Sequence, residues 1–372
     1  MPNRNPISAE QTLQQELKQL AILGAGLLLL LFGLLLSLTD NTSASLWLLQ
    51  AGLCWVLVIL MGWHKLPLNR ADAASALYPN LGWGNRLTIA RGWLVAACCG
   101  FLWANDNLLS LSWLAALWYS IAAVLDRIDG YVARRSQQVS LLGNELDINF
   151  DALGLVIAPL LAWNLGKIHV SYLLLSVAYY LYRWALQQRA QRDWVIYPVP
   201  ANPLRRSLAG FQMGFIAVAL WPLLNPQLTV IASVAFMLPV LFGFGVDWGM
   251  VCGWLKPQAI PQLTRVSFAY LQPGLRLLVL WLACQLYWPV DQLLTASNLA
   301  LLLSLVLLTL GFAGRLGAAL LLVSLGWQNG LNLNNVSNFM LIVSTSWLLM
   351  LGTGRYSLWQ WGDDWVSRYD GA

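Results

Sequence analysis

The run Leu125-Asp126-Arg127-Ile128-Asp129-Gly130-Tyr131-Val132-Ala133-Arg134-Arg135, followed by Gly143-Asn144-Glu145-Leu146-Asp147-Ile148-Asn149-Phe150-Asp151, places four carboxylates between two strongly apolar stretches. Asp126 and Asp129 are three residues apart, and Asp147 and Asp151 are four apart. On a helix both spacings put the pair on one face. If the two stretches form consecutive antiparallel helices, their adjoining ends bring the four acids into one cluster. Acids at membrane depth are expensive and usually functional, and like charges held a few ångströms apart repel. A cation is therefore expected among them. An all-oxygen ligand set favours Mg2+ or Mn2+ over Zn2+. Two such ions would clamp a pyrophosphate and an attacking oxygen. The bland alternative is salt bridging to Arg127, Arg134 or Arg135.

Working outward, the 372-residue chain is 59% hydrophobic and only 10% charged, with mean hydropathy +0.62. Soluble domains carry about 25% charged residues, so lipid is the expected solvent for much of this chain. The 21 Trp residues suit membrane interfaces. The net charge of +5 is read as basic loops facing anionic lipid, and no nucleic-acid partner is expected. Cys54, Cys98, Cys99, Cys252 and Cys284 lack metal-ligand spacing and read as small apolar residues. The polar first 19 residues and the long apolar run after them do not read as a cleavable signal.

About 20 apolar residues span a bilayer, and on that rule the fold class is an all-α integral membrane protein with about twelve transmembrane helices. Two spans lie near 20–38 and 44–63. Six lie near 87–104, 109–125, 141–165, 170–186, 207–224 and 228–246. Four more lie near 275–290, 295–312, 316–327 and 336–351. With both termini cytoplasmic, nearly all Lys and Arg fall in cytoplasmic loops and Lys167 alone falls in an outer one. Residues 64–85 read as an interfacial helix, and the Pro-containing stretch 256–273 reads as a linker. The expected division is a two-span extension (1–63), a six-helix core (64–255) and a four-span region (256–372).

Gly130 and Gly143 lack a Cβ and would let a ligand approach the backbone, with helix packing as the alternative. Arg134 is placed to meet a phosphate bidentately. The whole pattern D-x-x-D-G-x-x-A-R-(x8)-G-x-x-x-D-x-x-x-D, met at Asp126, Asp129, Gly130, Ala133, Arg134, Gly143, Asp147 and Asp151, resembles the signature of the CDP-alcohol phosphatidyltransferases. A second stretch, Asn85-Arg86-Leu87-Thr88-Ile89-Ala90-Arg91, resembles that family's N-x-L-T-x-x-R, and the likeness extends over residues 80–255 or so.

The resemblance implies transfer of a substituted phosphoryl group from a CDP-alcohol to an acceptor hydroxyl, with release of CMP. It implies that Asp126, Asp129, Asp147 and Asp151 hold two Mg2+ or Mn2+ ions, with Asp151 also the general base. Gly130, Ala133, Arg134, Gly143, Asn85 and Thr88 are then expected at the nucleotide and its phosphates. Arg205 and Arg206 are candidates for an acceptor phosphate, although Asn202-Pro203-Leu204-Arg205-Arg206-Ser207 departs from the family's common G-K-x-K-T form; their alternative is a positive-inside anchor. The expected donor is CDP-diacylglycerol and the acceptor a small alcohol or lipid head. Transfer from CDP-choline or CDP-ethanolamine to diacylglycerol would use the same aspartates. A twelve-span transporter is the rival reading, but the acids sit at one face and no repeat is visible. A degenerate member would have lost an aspartate, and none is lost.

Residues 256–372 have a slight resemblance to DoxX-like four-span proteins, from which no function is carried over. Asp363, Asp364 and Asp370 read as a solvated tail, and His64 and His169 receive no role. The first two spans read as scaffold or oligomer contact, and Gly210-x-x-x-Gly214 as packing with a homodimer contact as the alternative. The expected location is a bacterial plasma membrane with the active site cytoplasmic.

Overall fold

A computed structural model describes residues 6–104, 106–199, 212–256, 258, 260–287, 295–327 and 335–359. Among them the chain is all-helical, and the one strand-like feature is an isolated bridge between Phe312 and Trp359. The helices are α1 (Pro6–Leu38), α2 (Asn41–Lys65), α3 (Gly82–Cys99), the single turn α4 (Asp106–Leu109), α5 (Ser112–Arg135), α6 (Leu141–Asn164) and α7 (Leu173–Gln191). Residues 212–219 form α8. There follow α9 (Pro226–Val251), α10 (Ile260–Val266), α11 (Gln272–Tyr287), α12 (Ala296–Leu310), α13 (Gly314–Trp327) and α14 (Val336–Leu351). Five helical segments among the described residues are long and apolar enough to cross a membrane, lying in α1, α2, α6, α9 and Ser267–Tyr287. The chain is an integral membrane protein built from such helices. The apolar helices α12 to α14 have only 14 to 16 residues, short of the roughly 20 a straight span needs.

Three boundaries differ from expectation. Helix α1 begins at Pro6, well before the apolar run, because the Glu, Gln, Lys and Leu residues between are strong helix formers; Leu13 and Leu17 are buried on its face. Residues 69–81 form no interfacial helix. The Asp72 carboxylate accepts from the Ala74 and Ser75 N–H groups at 2.9 and 2.8 Å, a local alternative to helical bonding. Asn69, fully buried, donates to the Asn80 carbonyl at 2.8 Å. Residues 260–287, expected to begin as a linker, are continuously helical through a π-turn at Ser267–Leu271. There the Phe268 carbonyl accepts from the Arg355 N–H at 3.0 Å, just ahead of Pro273, whose ring nitrogen has no proton to donate.

The described residues form two compact units. One comprises α1 to α6 with residues 216–222. Within it α3 is central, packed on α2, α5 and α6, and α1 lies on α2. Small residues set these crossings. A Cβ on Gly84 would stand 2.7 Å from the Ala133 Cβ, bringing α3 and α5 into close contact. A Cβ on Gly92 would meet Phe150 of α6 at 3.1 Å. The Trp55 indole lies against Gly24 and donates to the Ala21 carbonyl at 3.1 Å. Glu16 of α1 accepts from the Leu81 N–H at 3.0 Å and from Arg86 at 3.2 Å, so the first helix holds the start of α3.

The second unit comprises α7 and α9 to α14 with residues 212–215. In it α9 packs on α7, α13 and α14. A Cβ on Gly326 would meet the Leu228 Cα at 3.0 Å. Gly311 closes α12 in the left-handed conformation at φ 62°, which a residue without Cβ adopts freely.

Candidate active site

Ser140 starts α6. Its hydroxyl accepts from the Gly143 N–H at 3.0 Å, satisfying one of the free donors of the first turn. Asn85 of α3 donates to the Ser140 hydroxyl at 3.0 Å, to the Asn69 side chain at 3.0 Å and to the Leu81 carbonyl at 2.8 Å. A Cβ on Gly143 would stand 2.6 Å from the Asn85 Oδ1. Gly143 is thus small because Asn85 fills its place. The α6 start, the α3 start and the 66–81 segment are tied by this buried knot, which fixes where Asp147 and Asp151 lie.

The knot delivers two carboxylates from α5 and two from α6 to a single arginine. Arg91 of α3 has a side chain only 2% exposed. Its Nη1 pairs with Asp126 and lies 3.4 Å from Asp129 Oδ2. Its Nη2 lies 2.7 Å from Asp147 Oδ1 and 3.2 Å from Asp151 Oδ1. Each terminal nitrogen therefore serves the pair from one helix. The Arg91 Nε and the Asp151 Oδ1 are buried without a hydrogen bond. Asp129 is held apart from the others: Thr88 donates to its Oδ2 at 2.9 Å and the Gly130 N–H to its Oδ1 at 2.6 Å.

Asp126, Asp147 and Asp151 each offer a carboxylate oxygen, and these lie within 4.8 Å of one another. Their side chains are 21%, 43% and 33% exposed, against 6% for Asp129. Three partly open carboxylates form an all-oxygen donor set that fits Mg2+ or Mn2+. Four acids against one guanidinium leave the cluster strongly negative, which favours a divalent cation further.

The remaining expected residues fall in different places. Arg134 is exposed and its Nη1 is 3.2 Å from where a Gly130 Cβ would be. Ala133 packs on Gly84. Asn85 and Thr88, expected at the nucleotide, are buried with their polar atoms engaged inside the protein; the physical reason is that α3 crosses α5 and α6 here and these side chains join the helices. The cluster's counter-charge is Arg91 and not Arg127, Arg134 or Arg135; Arg135 instead donates to Tyr131 at 3.0 Å. Arg205 and Arg206 lie outside the described residues. The sequence pattern gives Arg91 no site role of its own, although Asn85, Thr88 and Arg91 recur every three residues and so share a face of α3.

At the start of α3 and the end of α5 is a cavity of about 350 Å³ lined by Asn80, Gly82, Trp83, Arg86, Ser136 and Gln138. The Arg86 guanidinium stands 5.0 Å over the Trp83 ring. Gly82 holds φ +76°, and a Cβ there would meet the Gln138 Oε1 at 2.7 Å.

The CDP-alcohol phosphatidyltransferase family model matches residues 82–244. This range contains α3, α5 and α6 and with them Arg91 and all four aspartates. No curated protein and no solved structure gave a match.

Proposed function

We propose, from the membership of residues 82–244 in the CDP-alcohol phosphatidyltransferase family, that the chain transfers a phosphatidyl group from CDP-diacylglycerol to the hydroxyl of a small alcohol or lipid head, releasing CMP. The family carries the coarser statement, phosphotransfer from a CDP-alcohol to an acceptor. The observation that supports the finer one is the convergence of Asp126, Asp147 and Asp151 in a unit that also holds the long apolar helices α1, α2 and α6. A reaction centre at membrane level suits a donor whose diacylglycerol stays in lipid.

In this reading Asp126, Asp129, Asp147 and Asp151 hold Mg2+ or Mn2+, two ions in all. When bound, such ions neutralise the pyrophosphate and polarise its phosphorus–oxygen bonds. Asp151 takes the proton of the acceptor hydroxyl, its side chain being a third exposed. A base must lie within hydrogen-bond reach of that hydroxyl. The acceptor oxygen forms a bond to the phosphorus bearing diacylglycerol, the bridging phosphorus–oxygen bond breaks, and the electron pair leaves on CMP. Arg134, exposed beside Gly130, steadies phosphate oxygens. The cavity at the start of α3 and the end of α5 receives the cytidine, its side-chain amides reading the base edge and Trp83 offering a ring to stack on.

The remaining assignments rest on sequence. Arg205 and Arg206 are proposed for an acceptor phosphate. Residues 64–255 are proposed as the catalytic region of a twelve-span chain with the site cytoplasmic. The test is CMP release by purified protein in lipid vesicles with Mg2+ or Mn2+, across CDP-diacylglycerol, CDP-choline and CDP-ethanolamine and a panel of acceptor alcohols. Acceptor-dependent release from CDP-diacylglycerol is expected. Release from CDP-choline or CDP-ethanolamine with diacylglycerol alone would reassign donor and acceptor, and no release from any donor would defeat the reading.

A further inference from the structure

We propose that Arg91 is the positioning residue of the aspartate cluster, fixing one oxygen of each carboxylate from the buried side and so presetting the remaining oxygens for divalent ions. The inference rests on the metal reading given above. It starts from the division of labour within one guanidinium: Nη1 addresses Asp126 and Asp129 of α5, and Nη2 addresses Asp147 and Asp151 of α6. The Nη2 group also reaches the Asp147 carbonyl at 3.4 Å. The planar fork thus sets the spacing between two helices as well as the rotation of four side chains.

Arg91 approaches through Asp126 Oδ1, Asp129 Oδ2, Asp147 Oδ1 and Asp151 Oδ1. The second oxygens of Asp126, Asp147 and Asp151 take no part in these pairs. The guanidinium is almost fully buried while those three carboxylates are partly open, so Arg91 stands behind them as seen from solvent. A cation arriving from the open side meets oxygens already turned and held. Without Arg91, four carboxylates would repel one another until ions arrived. Lys would supply the same charge at one point and lack the fork that reaches both helices.

The test compares wild-type protein with Arg91→Lys and Arg91→Gln in lipid nanodiscs, reading Mn2+ binding by electron paramagnetic resonance without substrate. Outer-shell partners of metal ligands typically contribute about 10–100-fold in metal affinity. Because Lys keeps the charge, a loss of about that size in Arg91→Lys reports geometry. The same variant should need correspondingly more Mn2+ for half-maximal CMP release, with excess Mn2+ restoring part of the rate. Equal Mn2+ binding by wild type and Arg91→Lys would overturn the inference and leave the enzyme reading intact. Tighter binding by Arg91→Gln would overturn it too, marking Arg91 as a competitor for the ions' place. If wild type binds no Mn2+, the metal reading falls and this inference with it. Should Arg91→Lys fail to fold, Thr88→Val carries the test, since it frees Asp129 opposite Nη1 with every charge kept. Weakened Mn2+ binding there supports a preset cluster, and unchanged binding counts against it.

Discussion

Helix α3 and the helices α12 to α14 all bury polar residues, yet those residues work differently. On α3 the side chains reach other elements: Asn85 to Ser140 and Asn69, Thr88 to Asp129, and Arg91 to four aspartates. On α12 to α14 they turn back on their own helix. Ser304 donates to the Leu301 carbonyl at 2.6 Å, Ser324 to Leu321 at 2.9 Å, Thr345 to Leu341 at 2.7 Å and Ser346 to Ile342 at 2.7 Å. Such back-bonding satisfies a hydroxyl in lipid without specifying a neighbour. Burial of a polar residue therefore says little about function; the element it addresses says much. By this measure the buried polar groups of α3 join elements, and the hydroxyls of α12 to α14 bond within their own helices.

The largest effect that would sharpen this contrast is at Asp151. Asp151→Asn should lower acceptor-dependent CMP release by about 10²–10⁴-fold with the melting temperature in detergent nearly unchanged. A milder loss would remove Asp151 from the base's role. Next comes the Asn85–Gly143 contact. Gly143→Ala forces a clash with Asn85 and should destabilise by about 1–3 kcal/mol. Asn85→Ala, which strips partners from the buried Ser140 and Asn69, should cost about 1–3 kcal/mol as well. The double variant should be less harmed than the sum of the two, since removing Asn85 vacates the space the new methyl needs. Strict additivity in thermal melts would break the knot described above.

Gly326→Ala, pressed on the Leu228 backbone, should also destabilise by about 1–3 kcal/mol, but turnover per folded molecule should stay at the wild-type value. A fall in turnover would give α13 a part in the chemistry. The smallest effect is the most pointed comparison. Thr88→Val removes the hydrogen bond to Asp129 and is expected to cost about 1–3 kcal/mol. Thr345→Val removes only a bond to its own helix and is expected to cost about 0.6 kcal/mol or less. Equal costs would erase the distinction between the two regions.

Much of this could be read from residues alone. The aspartate spacings place pairs on helix faces, and the apolar runs forecast helices. The role of Arg91 is hard to read because it lies 35 residues before Asp126, with no acid nearer in sequence than Asp72 and Asp106. Its helical register with Asn85 and Thr88 was the available sign. Glycine roles were also ambiguous: a missing Cβ reads the same whether a ligand or Asn85 fills the space. The 69–81 segment defeated its apolar pattern because Asp72 and Asn69 bind backbone groups locally, a competition that hydrophobic periodicity does not register. In 260–287 the π-turn let a helix run on to Pro273, where proline alone suggested a break.

Following the phosphorus decides whether the chain is a phosphatidyl transferase. CDP-diacylglycerol labelled at the phosphate next to diacylglycerol is incubated with protein in vesicles, Mg2+ or Mn2+ and the acceptor found by the panel. The label is expected to move into a new lipid carrying the acceptor while CMP emerges unlabelled, and Asp151→Asn is expected to abolish both. Label released as inorganic phosphate, or a donor bound tightly and returned intact, would contradict phosphatidyl transfer.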